Sequence, residues 1–241
     1  MALPILILHG WGSNSLRWQK VRELLEEEGI EVLILDLPGF DITPFPDRPW
    51  SRDDYIKWIF QKVKERNWPK FNLLGHSFGG GLAVKIATNP TLFKKGGGVE
   101  KLILVAPAII KRKSIKTYLF YLIASFGKKI FSLPGLKIFY PLAEKLIYKL
   151  AGARDYYVAE GVMKETMKGL GEEDLEALLE KVKTPTLILW GKKDDVLPLK
   201  DAYYLKEKIG GSQLKIIPGA GHSPHRETPA ELAEIIIDFF Q

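Results

Sequence analysis

Residues 71–80 read FNLLGHSFGG, an apolar run followed by the pattern Gly-x-Ser-x-Gly around Ser77. The run Phe71–Leu74 predicts a buried strand, and the residues from Gly79 onward predict a helix. A serine on the tight turn between them sits in strained backbone, which flanking glycines allow, and its hydroxyl is lifted above the carboxyl end of the strand. Ser77 is therefore a candidate nucleophile. A phosphate-binding loop is the alternative, but no G-x-G-x-x-G pattern or P-loop lysine accompanies the serine.

Short apolar runs alternate with segments of helical period on both sides of this stretch. Continuous apolarity is typical of strands covered on both faces, so the alternation predicts an α/β fold with a mainly parallel sheet of about six strands and helices on both faces. The predicted strands are Leu3–Leu8, Glu31–Leu35, Phe71–Leu74, Lys101–Val105, Thr186–Leu189 and Gln213–Ile217. The predicted helices are Leu16–Glu28, Arg52–Arg66, Gly79–Thr88, Leu199–Lys208 and Pro229–Phe240.

One region interrupts this alternation. Between Pro107 and about Lys183 there is no convincing strand, only a helical pattern broken by glycine and proline. The sequence therefore predicts a core formed by residues 1–106 and 184–241, with a helical cap inserted at residues 107–183. The net charge of the chain is +6. This basic excess lies between Pro107 and Ala153, the first part of the insertion, where Glu144 is the one acid. The basic residues there are Lys111, Arg112, Lys113, Lys116, Lys128, Lys129, Lys137, Lys145 and Lys149.

The composition excludes several kinds of protein. The chain contains no cysteine, which rules out disulfide scaffolds, thiolate zinc sites, iron–sulfur clusters and a cysteine nucleophile. With 46% hydrophobic and 27% charged residues, it is an ordinary globular sequence. The apolar run at residues 2–8 lacks the basic flank and the cleavage site of a signal peptide, and no run reaches about 18 apolar residues. We expect a cytoplasmic protein without a transmembrane segment.

A serine hydroxyl needs a base to take its proton and an acid to orient that base. His222 follows the last predicted strand in the run GAGH, so it is expected at the same edge of the sheet as Ser77. His225 is the alternative base, although we expect it at the surface or at the rim of a pocket. For the acid, Asp194 and Asp195 both follow the fifth predicted strand. Either choice gives the chain order Ser, Asp, His.

The first predicted strand ends in the run His9-Gly10-Trp11-Gly12. A glycine-rich turn at the carboxyl end of a strand is a place where a free backbone N–H can point inward. The N–H groups of Trp11 and Phe78 would then flank the oxygen of a tetrahedral intermediate, and one such donor is typically worth about 3 kcal/mol. We expect His9 to be a structural hydrogen-bonding residue.

Together these features resemble the α/β-hydrolase fold family, and within it the small carboxylesterase branch that includes the pimeloyl-carrier methyl ester esterase. The matching motifs are HGWG at 9–12, DLPGF at 36–40, GHSFGG at 75–80, the spaced Gly, Asp and Pro at 191, 194 and 198, and GAGH at 219–222. The resemblance covers nearly the whole chain apart from the insertion. It implies Ser77 as nucleophile, His222 as base and Asp194, in preference to Asp195, as the orienting acid. It also implies that the N–H groups of Trp11 and Phe78 form the oxyanion hole.

The sequence departs from the family pattern in two places. The family usually has two strands before the His-Gly strand, whereas this sequence starts at that strand, so we expect a sheet with an exposed first edge. The loop after Asp36 usually continues with glycine and serine, but here it reads Phe40-Asp41-Ile42-Thr43. Asp41 either alters the substrate preference or faces the solvent. In the family, an insertion at residues 107–183 forms a helical cap that closes the pocket and sets the substrate.

The predicted function is hydrolysis of carboxylic esters, lactones included, through an acyl-enzyme on Ser77, with no metal and no organic cofactor. A serine nucleophile argues against the haloalkane dehalogenases and epoxide hydrolases of the family, which use aspartate. Lactonases, carbon–carbon bond hydrolases and cofactor-free haloperoxidase-like members share the triad and stay as alternatives, as does a non-catalytic binding protein. An apolar acyl pocket is one interpretation of the cap aromatics, and packing of cap helices is the other. These aromatics are Tyr118, Phe120, Tyr121, Phe126, Phe131, Phe139, Tyr140 and Tyr148.

The basic cap suggests a second hypothesis, which is docking onto an acidic surface. That surface would be an acyl-carrier protein delivering the ester, or an anionic membrane. A solvated helical face is the simpler interpretation. No recognised nucleic-acid-binding module accompanies the charge, so nucleic acid is not an expected partner.

Overall fold

A parallel sheet forms the centre of the fold in the computed structural model, which describes residues 2–40, 43–93, 96–111 and 161–240. The strands are β1 (Ile5–Leu8), β2 (Val32–Leu35), β3 (Lys70–His76), β4 (Gly98–Val105), β5 (Thr186–Gly191) and β6 (Gln213–Ile217). Within the described residues these six strands lie in the order β2-β1-β3-β4-β5-β6, and every neighbouring pair is parallel. The predicted α/β fold with about six parallel strands is confirmed.

Three strands are longer than the apolar runs that predicted them, and one of these, β5, ends at Gly191 instead of Leu189. β4 begins at Gly98, before its apolar half. β3 continues to His76 because Gly75 and His76 still pair with Leu104 and Val105 of β4. Strand geometry therefore reaches the residue directly before Ser77. The sheet itself fixes where the serine turn begins.

The described helices agree with the predicted ones to within a few residues, and four elements are additional. The helices are α1 (Gln19–Glu27), α2 (Arg52–Glu65), α3 (Phe78–Ala87), α4 (Gly161–Glu172), α5 (Lys200–Lys208), α6 (Pro224–Glu227) and α7 (Pro229–Phe240), with 3-10 turns at Ser15–Trp18, Pro90–Leu92 and Glu176–Lys181. The additional elements are α4, α6 and the 3-10 turns at Pro90–Leu92 and Glu176–Lys181. No helix in the described ranges is long and apolar enough to cross a membrane.

Alternate residues of each central strand enter two separate cores. Leu6, Leu73 and Leu104 belong to the core that also contains buried residues of α2, α3 and α5. Ile5 and Ile103, from the same strands, belong to the core that contains buried residues of α1 and α7. Because both faces of the sheet are covered, both sets of side chains must be apolar. This explains the continuous apolar runs in the sequence.

The edge strand β2 is less well covered than the central strands. It forms one end of the sheet in the part of the chain that the structure describes. Its middle residues, Leu33 and Ile34, are half-buried, while Val32 and Leu35 are buried. The expected first edge is thus present, and it is only partly exposed.

Only the two ends of the predicted cap, residues 107–111 and 161–183, fall within the described residues. There, helix α4 lies against the start of α2. The Trp50 N–H donates to Thr166 Oγ1 over 3.0 Å, and Arg52 Nη1 donates to Leu170 O over 2.6 Å and to Glu173 Oε2 over 2.9 Å. The cap aromatics, Asp41 and eight of the nine basic residues between Pro107 and Ala153 lie outside the described residues, while Lys111 lies within them. The division into a core and a cap at residues 107–183 stays a prediction.

Candidate active site

Ser77 lies at the sharp turn between β3 and α3, as the sequence predicts. Its backbone has φ 51° and ψ −114°, a conformation that L-residues rarely adopt. The glycines around it allow the chain to turn this tightly. A Cβ on Gly79 would collide with the backbone of Leu8 and His9, and a Cβ on Gly75 would lie 2.7 Å from the Ala83 side chain. The turn is thus packed on every side by the end of β1 and by α3.

His222 is in the loop between β6 and α6, and its ring joins the two other predicted triad residues. Its Nε2 lies 3.2 Å from Ser77 Oγ, and its Nδ1 lies 2.9 Å from Asp194 Oδ2. With the Nδ1–H donating to the carboxylate, Nε2 is left as the acceptor for the serine hydroxyl. The imidazole is therefore placed to take a proton from Ser77.

Asp194 follows β5, and its carboxylate is fixed by two backbone donors. Oδ1 accepts the N–H groups of Val196 over 2.9 Å and Leu197 over 2.8 Å, which leaves Oδ2 for His222. The side chain is fully buried. The neighbouring candidate Asp195 is exposed. A buried carboxylate that is already held by two amides can orient an imidazole without moving.

The loops that carry the acid and the base touch each other. Gly191 at the end of β5 has no room for a side chain, because a Cβ there would collide with the backbone of Ala220 and Gly221. The Lys193 N–H also donates to Ala220 O over 2.9 Å. This contact fixes the distance between Asp194 and the His222 loop.

The two predicted oxyanion donors lie beside Ser77. Phe78 is the first residue of α3, so its N–H has no acceptor within the helix. The turn after β1 approaches the serine closely, since a Cβ on Gly10 would lie 3.1 Å from Ser77 Cβ. The next N–H along that turn belongs to Trp11. Within the described chain, neither the Trp11 nor the Phe78 N–H has a backbone acceptor.

Aromatic rings surround this part of the site. Trp11 lies edge-on to Phe40 and to Phe78, with ring centroids 4.8 and 5.5 Å apart. Tyr55 packs on the other side of Phe78 at 5.3 Å, and burial raises the pKa of its phenol, whose O–H donates to Pro38 O. The surface next to the nucleophile is therefore apolar and rigid.

His9 is structural, as expected. Its Nε2 accepts the Leu37 N–H over 3.1 Å, so its Nδ1–H donates to Gly10 O over 2.8 Å. The ring is fully buried and connects the loop after β1 to the loop after β2. It does not belong to the Ser77, His222 and Asp194 arrangement.

The expectation for His225 was wrong. Instead of lying at the surface or a pocket rim, His225 is buried and stacks on Trp18, with ring centroids 4.2 Å apart and planes at 1°. Burial, reinforced by the nearby His76, lowers its pKa to about 2. A neutral imidazole between aromatic rings is an apolar side chain in effect, which explains why it sits inside. Its sequence neighbours Pro224 and Arg226 give no sign of this.

Two further residues around His222 were not predicted. His76 is buried on β3, and its Nε2–H donates to the His222 carbonyl over 2.8 Å. Burial, together with repulsion from the nearby His222, lowers the pKa of His76 to about 3. Glu227 at the end of α6 accepts the backbone N–H groups of Gly221 and Ser223. Side-chain bonds to loop backbone follow no sequence spacing, so no signal in the sequence could have identified these two.

The described side chains offer no metal-binding group. No three of their histidine, aspartate and glutamate residues converge as a metal ion would require. What converges is a hydroxyl, an imidazole and a carboxylate in one hydrogen-bonded line, next to unoccupied backbone donors. This arrangement can activate an oxygen nucleophile and stabilise an oxyanion.

Comparisons with known proteins agree with the fold. The sequence model of the Alpha/beta hydrolase family matches residues 5–235. AB hydrolase superfamily protein YisY of Bacillus subtilis is 28% identical over 98% of this chain and 91% of its own length. Human monoacylglycerol lipase ABHD6 is 27% identical over 98% of this chain and 74% of its own.

A solved structure shows the same architecture. The esterase EaEST from Exiguobacterium antarcticum superposes with a TM-score of 0.74 at 23% identity, covering 100% of this chain and 93% of the esterase. At this identity the likeness concerns the fold alone. Because the family match extends over nearly the whole chain, the protein belongs to the alpha/beta hydrolase family.

Proposed function

We propose that this protein is a serine hydrolase that cleaves carboxylic esters through an acyl-enzyme on Ser77. One observation carries the proposal. The His222 ring lies 3.2 Å from Ser77 Oγ on one side and 2.9 Å from the buried Asp194 carboxylate on the other. A nucleophile, a base and an orienting acid in hydrogen-bonding reach of one another are what acyl transfer requires.

The first half of the reaction forms the acyl-enzyme. Ser77 Oγ attacks the ester carbonyl carbon while its proton passes to His222 Nε2. The imidazolium that forms is stabilised by the Asp194 carboxylate, which stays ionised. His222 then gives the proton to the oxygen of the leaving alcohol as the carbon–oxygen bond breaks. The acyl group remains on Ser77.

The second half releases the acid. A water molecule takes the place of the alcohol and attacks the acyl carbon while His222 Nε2 takes its proton. When the bond to Ser77 breaks, the same proton returns to the serine oxygen, and the triad is restored. In both halves the carbonyl oxygen becomes an oxyanion, for which the N–H groups of Trp11 and Phe78 are the proposed donors.

The substrate class follows from the surroundings of Ser77. The rings of Trp11, Phe40 and Phe78 contact one another beside the nucleophile, which favours an apolar acyl group over a charged one. The names of the relatives, an esterase by structure and a monoacylglycerol lipase by sequence, support an ester substrate. Lactones are cyclic esters and would react by the same steps.

Hydrolysis of p-nitrophenyl esters of increasing acyl length tests this proposal. Turnover with a chain-length optimum is expected for the wild type, and Ser77→Ala and His222→Ala should reduce it to background. Ser212→Ala removes a buried serine outside this arrangement and should keep wild-type activity. Turnover that survives Ser77→Ala, or a folded wild type that hydrolyses no ester, would overturn the proposal.

A further inference from the structure

We propose that His76 and Glu227 are positioning residues, which hold the backbone of His222 so that its ring stays aligned with Ser77 and Asp194. The inference rests on the proposed function, because it concerns the residue assigned as the base. Neither residue touches the reacting atoms. Their role is to fix the loop from which the imidazole projects.

Glu227 accepts hydrogen bonds from the residues on both sides of His222. Its Oε1 accepts the Ser223 N–H over 3.1 Å, and its Oε2 accepts the Gly221 N–H. One carboxylate thus bonds the residue before the histidine and the residue after it. Gly221 leaves room for this approach, because a Cβ there would make a tight contact of 3.1 Å with Glu227 Oε2. Bonds from backbone N–H groups to a charged carboxylate are among the stronger hydrogen bonds in proteins.

His76 holds the carbonyl of the same residue. Its Nε2–H donates to His222 O over 2.8 Å. His76 is the last residue of β3 and directly precedes Ser77, so the bond ties the base to the strand that carries the nucleophile. Strands in the centre of a sheet are rigid compared with loops. The bond therefore fixes the backbone of His222 relative to the strand that carries Ser77.

The burial of His76 indicates that this one bond matters. Among the described residues, its Nδ1 has no hydrogen-bond partner although it is buried. An unsatisfied buried polar atom destabilises the fold. An apolar residue at position 76 would therefore give a more stable fold if the bond to His222 had no role. Burial also lowers the pKa of His76, which keeps the ring neutral. A neutral ring that donates from Nε2 adds no positive charge beside the imidazolium that forms on His222.

The loop needs such support because two of its residues are glycines. Gly219 and Gly221 precede His222 and give the chain wide conformational freedom. Within the described chain, the ring bonds Ser77 and Asp194 and lies beside the His76 ring, with centroids 5.1 Å apart, while its backbone sets the point from which it projects. A displacement of about 1 Å at a reacting group costs on the order of 100-fold in rate.

Glu227 is not an alternative orienting acid. Both of its carboxylate oxygens accept backbone N–H groups, while His222 Nδ1 bonds Asp194. His76 is not an alternative base, since its Nε2 bonds a carbonyl and Ser77 Oγ bonds His222. The two residues therefore act on the position of the base and not on the proton.

The test compares kcat and KM for an ester that the wild type hydrolyses. Glu227→Gln replaces one acceptor oxygen by an NH₂ group that faces an N–H donor, and His76→Leu removes the donor while filling similar space. We expect each to lower kcat by about 10-fold to 100-fold and to change KM by less than about 2-fold. His76→Gln retains an N–H near the position of Nε2 and should recover a large part of kcat.

Two matched controls separate positioning from stability. Glu100→Gln removes a carboxylate from an exposed ion pair with Lys70 at the other end of the sheet. Asn72→Leu removes a buried polar side chain from β3 itself, four residues before His76. Both should keep kcat. If Asn72→Leu lowers kcat as much as His76→Leu at equal loss of stability, the role of His76 is structural and the proposal is wrong.

A second measurement does not depend on turnover. In protein with ¹⁵N-labelled histidine, the His222 Nδ1 proton that bonds Asp194 can be followed by NMR. We expect this resonance to broaden or exchange faster in Glu227→Gln and His76→Leu, and to stay sharp in the two controls. An unchanged resonance together with unchanged kcat overturns the proposal. If the wild type shows no Ser77-dependent turnover, the proposed ester hydrolysis fails, and the resonance alone still decides on the positioning role.

Discussion

The two ends of the sheet differ in what they hold. At the amino end of β3 there is a cavity of about 430 Å³, lined mainly by apolar residues such as Phe60, Trp68, Phe71 and Phe93. At the carboxyl end, the Ser77 hydroxyl and the Asp194 carboxylate lie 3.2 and 2.9 Å from the two nitrogens of the His222 imidazole. Space without converging polar groups can hold only an apolar molecule, whereas converging groups can do chemistry. The location of the chemistry is therefore indicated by hydrogen bonds and not by volume.

The difference follows from the topology. In a parallel sheet all carboxyl ends lie at one edge, so the loops after β1, β3, β5 and β6 meet there. These loops carry Trp11, Ser77, Asp194 and His222 in this chain. The helix-to-strand connections lie at the opposite edge. Around the cavity, these connections contain aromatic residues that pack against one another. If the two ends are functionally separate, changes at one should alter activity and changes at the other should alter stability.

The largest expected effect is on activity at the carboxyl end. Asp194→Asn should lower kcat by about 1,000-fold to 10,000-fold, because an amide cannot orient the His222 tautomer or stabilise its imidazolium. The folded state should persist, since the side-chain oxygen can still accept the Val196 and Leu197 N–H groups. Ester hydrolysis and circular dichroism check both statements. Asp195→Asn is the matched control. A comparable loss of kcat in that variant would contradict the assignment of Asp194 as the orienting acid.

The next effect is on stability at the amino end. Phe71 is 1% exposed and packs near Trp68 and Phe93, with ring centroids 6.3 and 6.1 Å away. Phe71→Ala should reduce the free energy of unfolding by about 3–5 kcal/mol, because it removes buried apolar surface and enlarges the cavity. Urea titration measures this. The kcat of the folded variant should stay within about 3-fold of wild type. A loss as large as that of Asp194→Asn would show that the two ends are coupled.

A third effect concerns pH. The pKa of the buried His225 lies near 2 in the fold, against 6.5 for an ordinary histidine, because burial disfavours the charged ring. Unfolding between these pH values therefore takes up a proton, so stability falls as the pH is lowered. Each such histidine contributes about 1.4 kcal/mol per pH unit below its ordinary pKa. His76 is buried in the same way and adds to the slope.

Replacing His225 by phenylalanine isolates the contribution of this histidine to the pH dependence of stability. His225→Phe keeps an aromatic ring to stack on Trp18 but removes the titrating group. Between pH 6.5 and 4.5 the variant should lose about 2–3 kcal/mol less stability than the wild type. Urea titrations at several pH values check the slope. As a control, Phe71→Ala should lower the free energy of unfolding by the same amount at every pH. If His225→Phe and the wild type showed the same pH dependence, the lowered pKa of His225 would be contradicted.

The sheet could be predicted because its strands form short, continuous apolar runs. Strands covered on both faces must be apolar at every position, and the runs at Leu3–Leu8 and Thr186–Leu189 have that property. The extension of β3 to His76 could not be predicted in this way, since Gly75 and His76 are not β-favouring residues. They are paired because β4 lies alongside. Pairing between strands overrides local preference at that point.

Placement predicted that Ser77, His222 and an aspartate after β5 would share one edge of the sheet, and the family resemblance selected Asp194 over Asp195. The residues that support the candidate triad could not be predicted. Glycine-flanked Ser77 after a strand, and Asp194 and His222 after later strands, lead to one edge of a parallel sheet by topology alone. The burial of His225 depends on Trp18 from the other end of the chain, which no local pattern reveals. The bonds of Glu227 to backbone N–H groups are equally invisible in the sequence.

The smallest expected effect compares backbone strain at the two ends. Ser77 at the carboxyl end has φ 51° and ψ −114°, and Asn67, which follows α2 at the amino end, has φ 56°. Asparagine is tolerated with positive φ at the end of a helix, so Asn67→Gly should change stability by only a few tenths of a kcal/mol. Serine is not favoured in the Ser77 conformation, and the strain there amounts to about 1–3 kcal/mol.

Ser77→Gly and Ser77→Ala both remove the nucleophile, so the difference between their stabilities contains the backbone strain at this position and the entropy of the unfolded chain. Glycine relieves the strain but also gains entropy in the unfolded chain, which offsets about 0.5–1 kcal/mol. We therefore expect Ser77→Gly to be about 1 kcal/mol more stable than Ser77→Ala in urea titration. If Ser77→Gly were instead about 0.5–1 kcal/mol less stable than Ser77→Ala, the entropy of the unfolded chain alone would explain the difference, and no strain would be stored at the nucleophile. The two ends of the sheet would then differ in their polar groups and not in their backbone energetics.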